Sequence, residues 1–244
     1  MHPIDLGDFK HVVFFTGAGM SAESGVPTYR GAGGIWAQYR WEEYACQDAF
    51  DRDPVKVLDF HEKRRRHVLS CEPHAGHLHL AALQAAHPGV MIVTQNTDGM
   101  HQRAGAERVL ELHGSLWRLR CNKHGRSVDL EAATFARREC PACGAPLRPD
   151  ITWFGDGVEE GVFAHAQELI EAAELFVAVG CSGVVWPAAG LVHAARAADR
   201  RMIEVNVEET DVSPLFAERV REKAGTALPR LFKTPLSPRE RGKG

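Results

Sequence analysis

His11-Val12-Val13-Phe14-Phe15 runs through Thr16 into Gly17-Ala18-Gly19-Met20-Ser21-Ala22, and the reading of this junction decides the fold. Valine and phenylalanine in a short run bounded by glycine read as a buried strand. The turn that follows fits a dinucleotide fingerprint with Ala22 at its last position. Small residues there let the backbone approach a pyrophosphate and aim its N–H groups at it. Alone this signal is weak, because glycine-rich turns are common. Its second half is also missing, since no acidic residue closes a second strand about 20 residues on. The chain continues instead as Glu23-Ser24-Gly25-Val26-Pro27-Thr28-Tyr29-Arg30-Gly31-Ala32-Gly33-Gly34-Ile35-Trp36, shaped more like a lid over a ligand than a helix. An ordinary dehydrogenase is thereby disfavoured.

Working outward, Val90-Met91-Ile92-Val93, Leu175-Phe176-Val177-Ala178-Val179 and Met202-Ile203-Glu204-Val205 are similar apolar runs. They alternate with helical patterns near 54–70, 74–86, 162–173, 187–198 and 212–223, which predicts parallel strands joined by crossover helices. The expected fold is α/β, a Rossmann-like parallel sheet with helices on both faces and a small insertion, zinc-binding by its Cys121-x2-His124 and Cys140-x2-Cys143 spacing. Residues 1–116 and 151–232 are assigned to the Rossmann-like domain, 117–150 to the insertion and 233–244 to a flexible tail. The basic, proline-bearing stretch after Pro229 reads as a frayed, solvated end. At 244 residues with 44% hydrophobic and 25% charged content, one domain with an insertion fits better than two equal domains.

A net charge of −3 gives no reason to expect nucleic acid or an anionic membrane as partner. The N-terminus, MHPIDLGDFKHVVFFT, has acidic residues before a very short apolar run, unlike a signal peptide, and no stretch is long enough to span a bilayer. Cys46, Cys71 and Cys181 are isolated, whereas Cys121-x2-His124 and Cys140-x2-Cys143 form two chelating pairs. That spacing matches a closed, structural zinc site of Cys3His type, with a bystander role for His124 left open. Cysteine usage of this kind points to a reducing, cytoplasmic setting.

Six motifs in order carry a more specific resemblance: GAGMSAESGVPTYRGAGGIW from Gly17, TQNTDGMH at 94–101, LHGS at 112–115, WFGD at 153–156, GCSG at 180–183 and NVE at 206–208. Together they resemble the sirtuin family, closest to the bacterial and mitochondrial branch that removes acidic acyl groups. The resemblance implies an NAD-dependent protein lysine deacylase that releases nicotinamide and O-acyl-ADP-ribose. It implies His113 as general base on a ribose hydroxyl, for which an imidazole titrating near neutrality is suited. Gln95, Asn96 and Asp98 match positions around the nicotinamide ribose and carboxamide. Gly180, Cys181, Ser182, Asn206, Glu208 and Ala224 match the adenosine half, and Gly17, Ala18, Gly19, Ala22, Pro27, Thr28, Tyr29, Arg30 and Trp36 match the loop over the cofactor. Cys181 stands where the family usually has threonine, which weakens a hydrogen bond, and Tyr29 replaces a more usual phenylalanine. Four zinc cysteines are also usual, so His124 is a departure.

The acyl group is addressed by the helical pattern from Pro54. Its apolar stripe runs through Val57, Leu58, Phe60, Val68 and Leu69, and the spacing puts His61 and Arg64 on that stripe. Glu62, Lys63, Arg65 and Arg66 are assigned mostly to the solvated side. Acidic-acyl sirtuins carry Tyr-x-x-Arg here, with a small residue upstream matched by Ala45. By that resemblance Arg64 grips a succinyl or malonyl carboxylate, and His61 in place of tyrosine adds a pH dependence near neutrality. A pocket opened by histidine to acetyl or lactyl groups is the alternative, as is an ADP-ribosyltransferase or NAD sensor. Trp153, Phe154 and Gly155 match the segment that pairs with substrate peptide as an extra strand. The expected partners are acylated lysines of proteins, with a monomer favoured.

Overall fold

In a computed structural model that describes residues 2–29, 33–129 and 132–233, the chain forms nine strands. They are β1 Val12–Thr16, β2 Val90–Thr94, β3 Val109–Glu111, β4 Gly114–Cys121, β5 Gly125–Val128, β6 Arg148–Ile151, β7 Leu175–Val179, β8 Arg201–Val205 and β9 Glu218–Val220. Six make a sheet in the order β3-β2-β1-β7-β8-β9, with every pairing parallel. The order reverses between β1 and β7, and in open α/β sheets ligands collect at the carboxyl ends of the strands at such a point.

Alternation along the strands explains the layers. Val12 and Phe14 of β1, with Leu175, Val177 and Val179 of β7, pack under helices Ala75–Ala86 and Ala224–Leu231. Val13, Phe15, Phe176 and Ala178 face the other way, under helices Glu160–Ala172 and Ala188–Ala197. Both faces are covered, which is why these strands read as uninterrupted apolar runs.

The remaining strands form an antiparallel sheet, β5-β4-β6, that leaves the parallel sheet after β3 and rejoins it before β7. Its core is shared with a helical stretch from the β1–β2 crossover: Val57, Leu58 and Val68 of helix Pro54–Leu69 pack with Leu116, Trp117, Leu119, Ile151 and Trp153. The helix begins at Asp53, whose side chain accepts from Lys56 N at 3.0 Å, with Pro54 at its first position.

Two expectations about elements fail. Residues 212–223 are not a helix but the turn Ser213–Leu215 followed by β9. The cause is Glu204 on β8, which is buried and draws Ser213, Thr210 and Arg221 around its carboxylate at 2.6–2.8 Å. A helix across this span would break that pairing and strand a buried charge. The stretch after Pro229 is also not frayed at its start, because Leu231 and Phe232 are fully buried. Phe232 packs edge-on against Phe14, with ring centroids 5.2 Å apart. Of the tail expected at 233–244, all but Lys233 lies outside the described residues. Among the described residues no helix is long and apolar enough to cross a membrane.

Candidate active site

A cleft of about 890 Å³ opens over the carboxyl ends of β1, β2, β7 and β8. Its floor is backbone against backbone. A Cβ on Gly17 would lie 2.7 Å from Gly180 O, and one on Gly19 would lie 2.7 Å from Gly180 Cα. Gly180 itself has φ +61° and faces Met20 N, so two glycine turns interlock at the reversal point. The short helix Ala18–Ala22 follows, leaving room above the turns for a phosphate-bearing ligand.

The structure gathers nearly all the residues singled out in the sequence around this space. Ala18, Ala22, Thr28, Tyr29, Trp36, Gln95, Asn96, His113, Cys181, Ser182, Asn206, Glu208 and Ala224 line the cleft, together with Ala45, His61, Arg64, Trp153, Phe154 and Gly155. Pro27 and Asp98 line a smaller, mostly apolar cavity of about 300 Å³, which shares Ala18, Tyr29, Arg64 and Asn96 with the cleft. Arg30 lies outside the described residues.

His113 follows β3 by two residues, at the carboxyl end of the strand. Its Nδ1 lies 3.1 Å from Gln95 O. A carbonyl only accepts, so Nδ1 carries the proton and Nε2 keeps its lone pair. Burial lowers the ring's pKa from its ordinary 6.5, against the raising effect of Gln95 O, which leaves the imidazole neutral and basic at neutral pH. Asn96 donates to Gly17 O at 3.0 Å and to Ser21 Oγ at 3.2 Å, and its buried Oδ1 has no partner. Asp98 accepts from Met100 N at 2.9 Å, and burial raises its carboxyl pKa. An unpaired amide oxygen and a desolvated carboxyl side by side suit a ligand amide. Cys181 is buried, with its thiol pushed up to about 12 by burial, and it donates to Phe15 O at 3.4 Å. Asn206 holds Cys181 O at 2.9 Å.

The acyl end corrects two expectations. Arg65, assigned to the solvated side, is fully buried. It pairs with Asp129 at 2.6 Å, donates to Leu116 O and stacks over Phe135 at 4.1 Å. Glu62 is also buried, accepting from Phe135 N and pairing with Arg138 at 2.9 Å. These partners offset the cost of burial, and they lie too far along the chain for the helix pattern to reveal them. Arg64 sits half-buried on the cleft wall, donating to Tyr29 Oη at 2.7 Å, with no carboxylate partner among the described residues.

His61 is wholly buried, and neither ring nitrogen has a formed hydrogen bond. Desolvation, followed by the neighbouring Arg64, Arg148 and Arg65 charges, holds its pKa well below 6.5, and the Tyr44 backbone only partly opposes this. The ring is therefore neutral throughout the neutral range, and the expected pH dependence near neutrality is withdrawn. His61 stacks on Trp153 at 5.8 Å, and Trp153 Nε1 is likewise buried without a partner. Phe154 N donates to Ala45 O at 3.0 Å, tying the Trp153–Gly155 segment to the channel wall.

Cys121, His124, Cys140 and Cys143 converge at the tip of the second sheet, with all ligand atoms within 4.8 Å of one another. Cys121 Sγ lies 3.6 Å from His124 Nδ1 and 3.7 Å from Cys143 Sγ, and Cys140 Sγ lies 3.5 Å from His124 Nδ1. A tetrahedral zinc with bonds of about 2.0–2.3 Å has edges of about 3.3–3.8 Å; these three separations match it, and three thiols with an imidazole are a donor set that fits the metal. With four protein ligands the centre is structural.

Sequence reasoning missed part of the cleft. Val184, Val185 and Trp186 line its mouth after β7, and Glu222 and Lys223 line it ahead of helix Ala224–Leu231. Assigning 212–223 to a helix hid the second pair. The position just past an apolar strand end could have flagged the first.

The fold and site together define an NAD-utilising α/β enzyme with a zinc-bearing insertion. A model of the Sir2 family matches residues 17–187, and the chain belongs to that family. It is 43% identical to the NAD-dependent protein deacylase 2 of Pyrobaculum aerophilum over 227 residues, covering 93% of this chain and 91% of the relative. A Sir2 homologue solved with NAD shares 36% identity at a TM-score of 0.84, covering 93% of this chain and 89% of that one. A Sir2 homologue variant solved with 2′-O-acetyl-ADP-ribose shares 37% identity at a TM-score of 0.85, covering 93% and 92%.

Proposed function

We propose that this protein is an NAD-dependent lysine deacylase whose acyl channel prefers succinyl and malonyl groups and also accepts acetyl. The reaction class is that of a sirtuin-type NAD-dependent protein deacylase. The acidic preference rests on one observation: His61 is buried with neither ring nitrogen in a close hydrogen bond, beside an Arg64 that has no carboxylate within ion-pairing distance among the described residues. A buried polar group without a partner costs about 1–3 kcal/mol. An acyl carboxylate would offset that cost by accepting from Arg64 and from the N–H of a neutral His61, with Trp153 Nε1 close by.

NAD, when bound, supplies the electrophilic ribose carbon and the hydroxyl that takes up the acyl group. The glycine floor receives the pyrophosphate, Asn206 and Glu208 lie at the adenosine end, and Asn96 with Asp98 receives the carboxamide. His113 accepts the ribose hydroxyl proton at Nε2, while Gln95 O fixes the tautomer through Nδ1. The Trp153–Gly155 segment pairs with the substrate backbone as an added strand, and the zinc centre holds the tip of the second sheet.

Turnover of matched acetyl-, lactyl- and succinyl-lysine peptides, read as NAD consumed and O-acyl-ADP-ribose formed, tests this. Succinyl is expected to lead. Arg64→Met should cut the succinyl-to-acetyl ratio of kcat/KM by about 10- to 100-fold, and His113→Ala should remove turnover of every peptide. A neutral acyl preference unmoved by Arg64→Met keeps the deacylase and ends the acidic reading. NAD consumption independent of acyl peptide would instead indicate a transferase or sensor.

A further inference from the structure

We infer that Tyr29 is a specificity-determining residue that orients Arg64 toward the acyl channel, an inference that rests on the acidic-acyl reading above. Arg64 Nη2 donates to Tyr29 Oη at 2.7 Å, and its guanidinium carbon lies 5.2 Å from the centroid of the tyrosine ring. A guanidinium cannot accept, so the phenol oxygen accepts from Arg64, and the phenol makes a second hydrogen bond with Thr97 Oγ1, 3.3 Å away, in which either hydroxyl can donate. Thr97 is buried just beyond the end of β2. This chain of hydrogen bonds anchors a long, flexible side chain to the segment just past the carboxyl end of β2.

The anchor occupies one of the five guanidinium N–H groups and leaves the rest for a carboxylate. Arg64 and Tyr29 stand on the wall common to the cleft and the smaller cavity, and on the cleft side Arg64 shares that lining with Ala45 and His61. A side chain held in place before the ligand arrives loses less freedom on binding. Tyr29 thus acts on acidic substrates through Arg64 and is a positioning residue for them.

Tyr29→Phe removes the hydroxyl and keeps the ring. The readout is the succinyl-to-acetyl ratio of kcat/KM, because any effect on the dinucleotide is common to both peptides and cancels. The ratio is expected to fall about five- to tenfold, through a raised KM for the succinyl peptide. In an Arg64→Met background, adding Tyr29→Phe should leave the ratio where Arg64→Met alone put it. A ratio unchanged or raised by Tyr29→Phe, or lowered equally in both backgrounds, overturns the inference. If Arg64→Met lowers the ratio and Tyr29→Phe does not, the inference alone fails. If Arg64→Met leaves it unmoved, the acidic-acyl reading fails as well.

Discussion

His61 shows how a residue can be found in the sequence and misjudged in its chemistry. Helical spacing places it inward, and the buried line does run Val57, His61, Arg65, Val68. What spacing cannot convey is the company: complete burial against Trp153, and then three nearby arginines, keep the imidazole uncharged. The same blindness sent Arg65 outward, because its acid partner is Asp129, 64 residues further on. Arg64 was legible because helical spacing put it on the inward stripe and the family resemblance matched it to an acyl-facing arginine. The neutral His61 has a kinetic consequence. Above pH 6.5 neither His61 nor His113 changes charge, since burial lowers both. The pH–kcat/KM profiles for succinyl and acetyl peptides should therefore share one acid limb, set below pH 6.5 by protonation of His113. His61→Tyr should leave that limb in place. An inflection near neutrality that is confined to the succinyl peptide and abolished by His61→Tyr would contradict the burial argument.

At the scale of elements, legibility followed exposure. β1 and β7 are covered on both faces, so every position is apolar and the runs stand out. β9 is a three-residue edge strand and carries two charges, Glu218 and Arg219, so nothing in its composition separates it from a helix turn. The short helices between residues 35 and 52 are four to six residues long, too brief for a period to show. The metal knuckle was legible because ligand spacing is set by coordination geometry, whatever the surrounding fold. His124 and Cys143 are exposed at that knuckle while Cys121 and Cys140 are buried. His124→Cys should keep one zinc per chain by native mass spectrometry, whereas His124→Ala should lose most of it. Stripping the metal should lower the melting temperature by on the order of 10 °C. A metal content that His124→Ala leaves intact would make His124 a bystander.

Across the whole molecule, a parallel sheet with helices on both faces was legible from the alternating elements, but the strand order and the second core were not. No apolar period announces that helix Pro54–Leu69 belongs with β4 and β6. The molecule also carries a store of buried neutral histidines behind the cleft. His77 is held down at about 2 and His101 at about 3, chiefly by desolvation. Their unfolded forms take up protons below about pH 6.5, so the unfolded state binds more protons than the native state over that interval. Stability is thus full above pH 6.5 and falls as pH drops toward the native values, by on the order of 2 kcal/mol per histidine at pH 5. Urea midpoints should decline from pH 7 to pH 5, less steeply in His77→Asn. A flat profile would mean that these rings protonate without unfolding. Finally, the floor where Gly17 and Gly19 meet Gly180 has no side chain to exchange. Drift can redraw the walls at positions 29, 61 and 64 while that seam stays fixed. Over evolutionary time, then, the coenzyme is the inherited constant of this enzyme, and the acyl group is the part open to renegotiation.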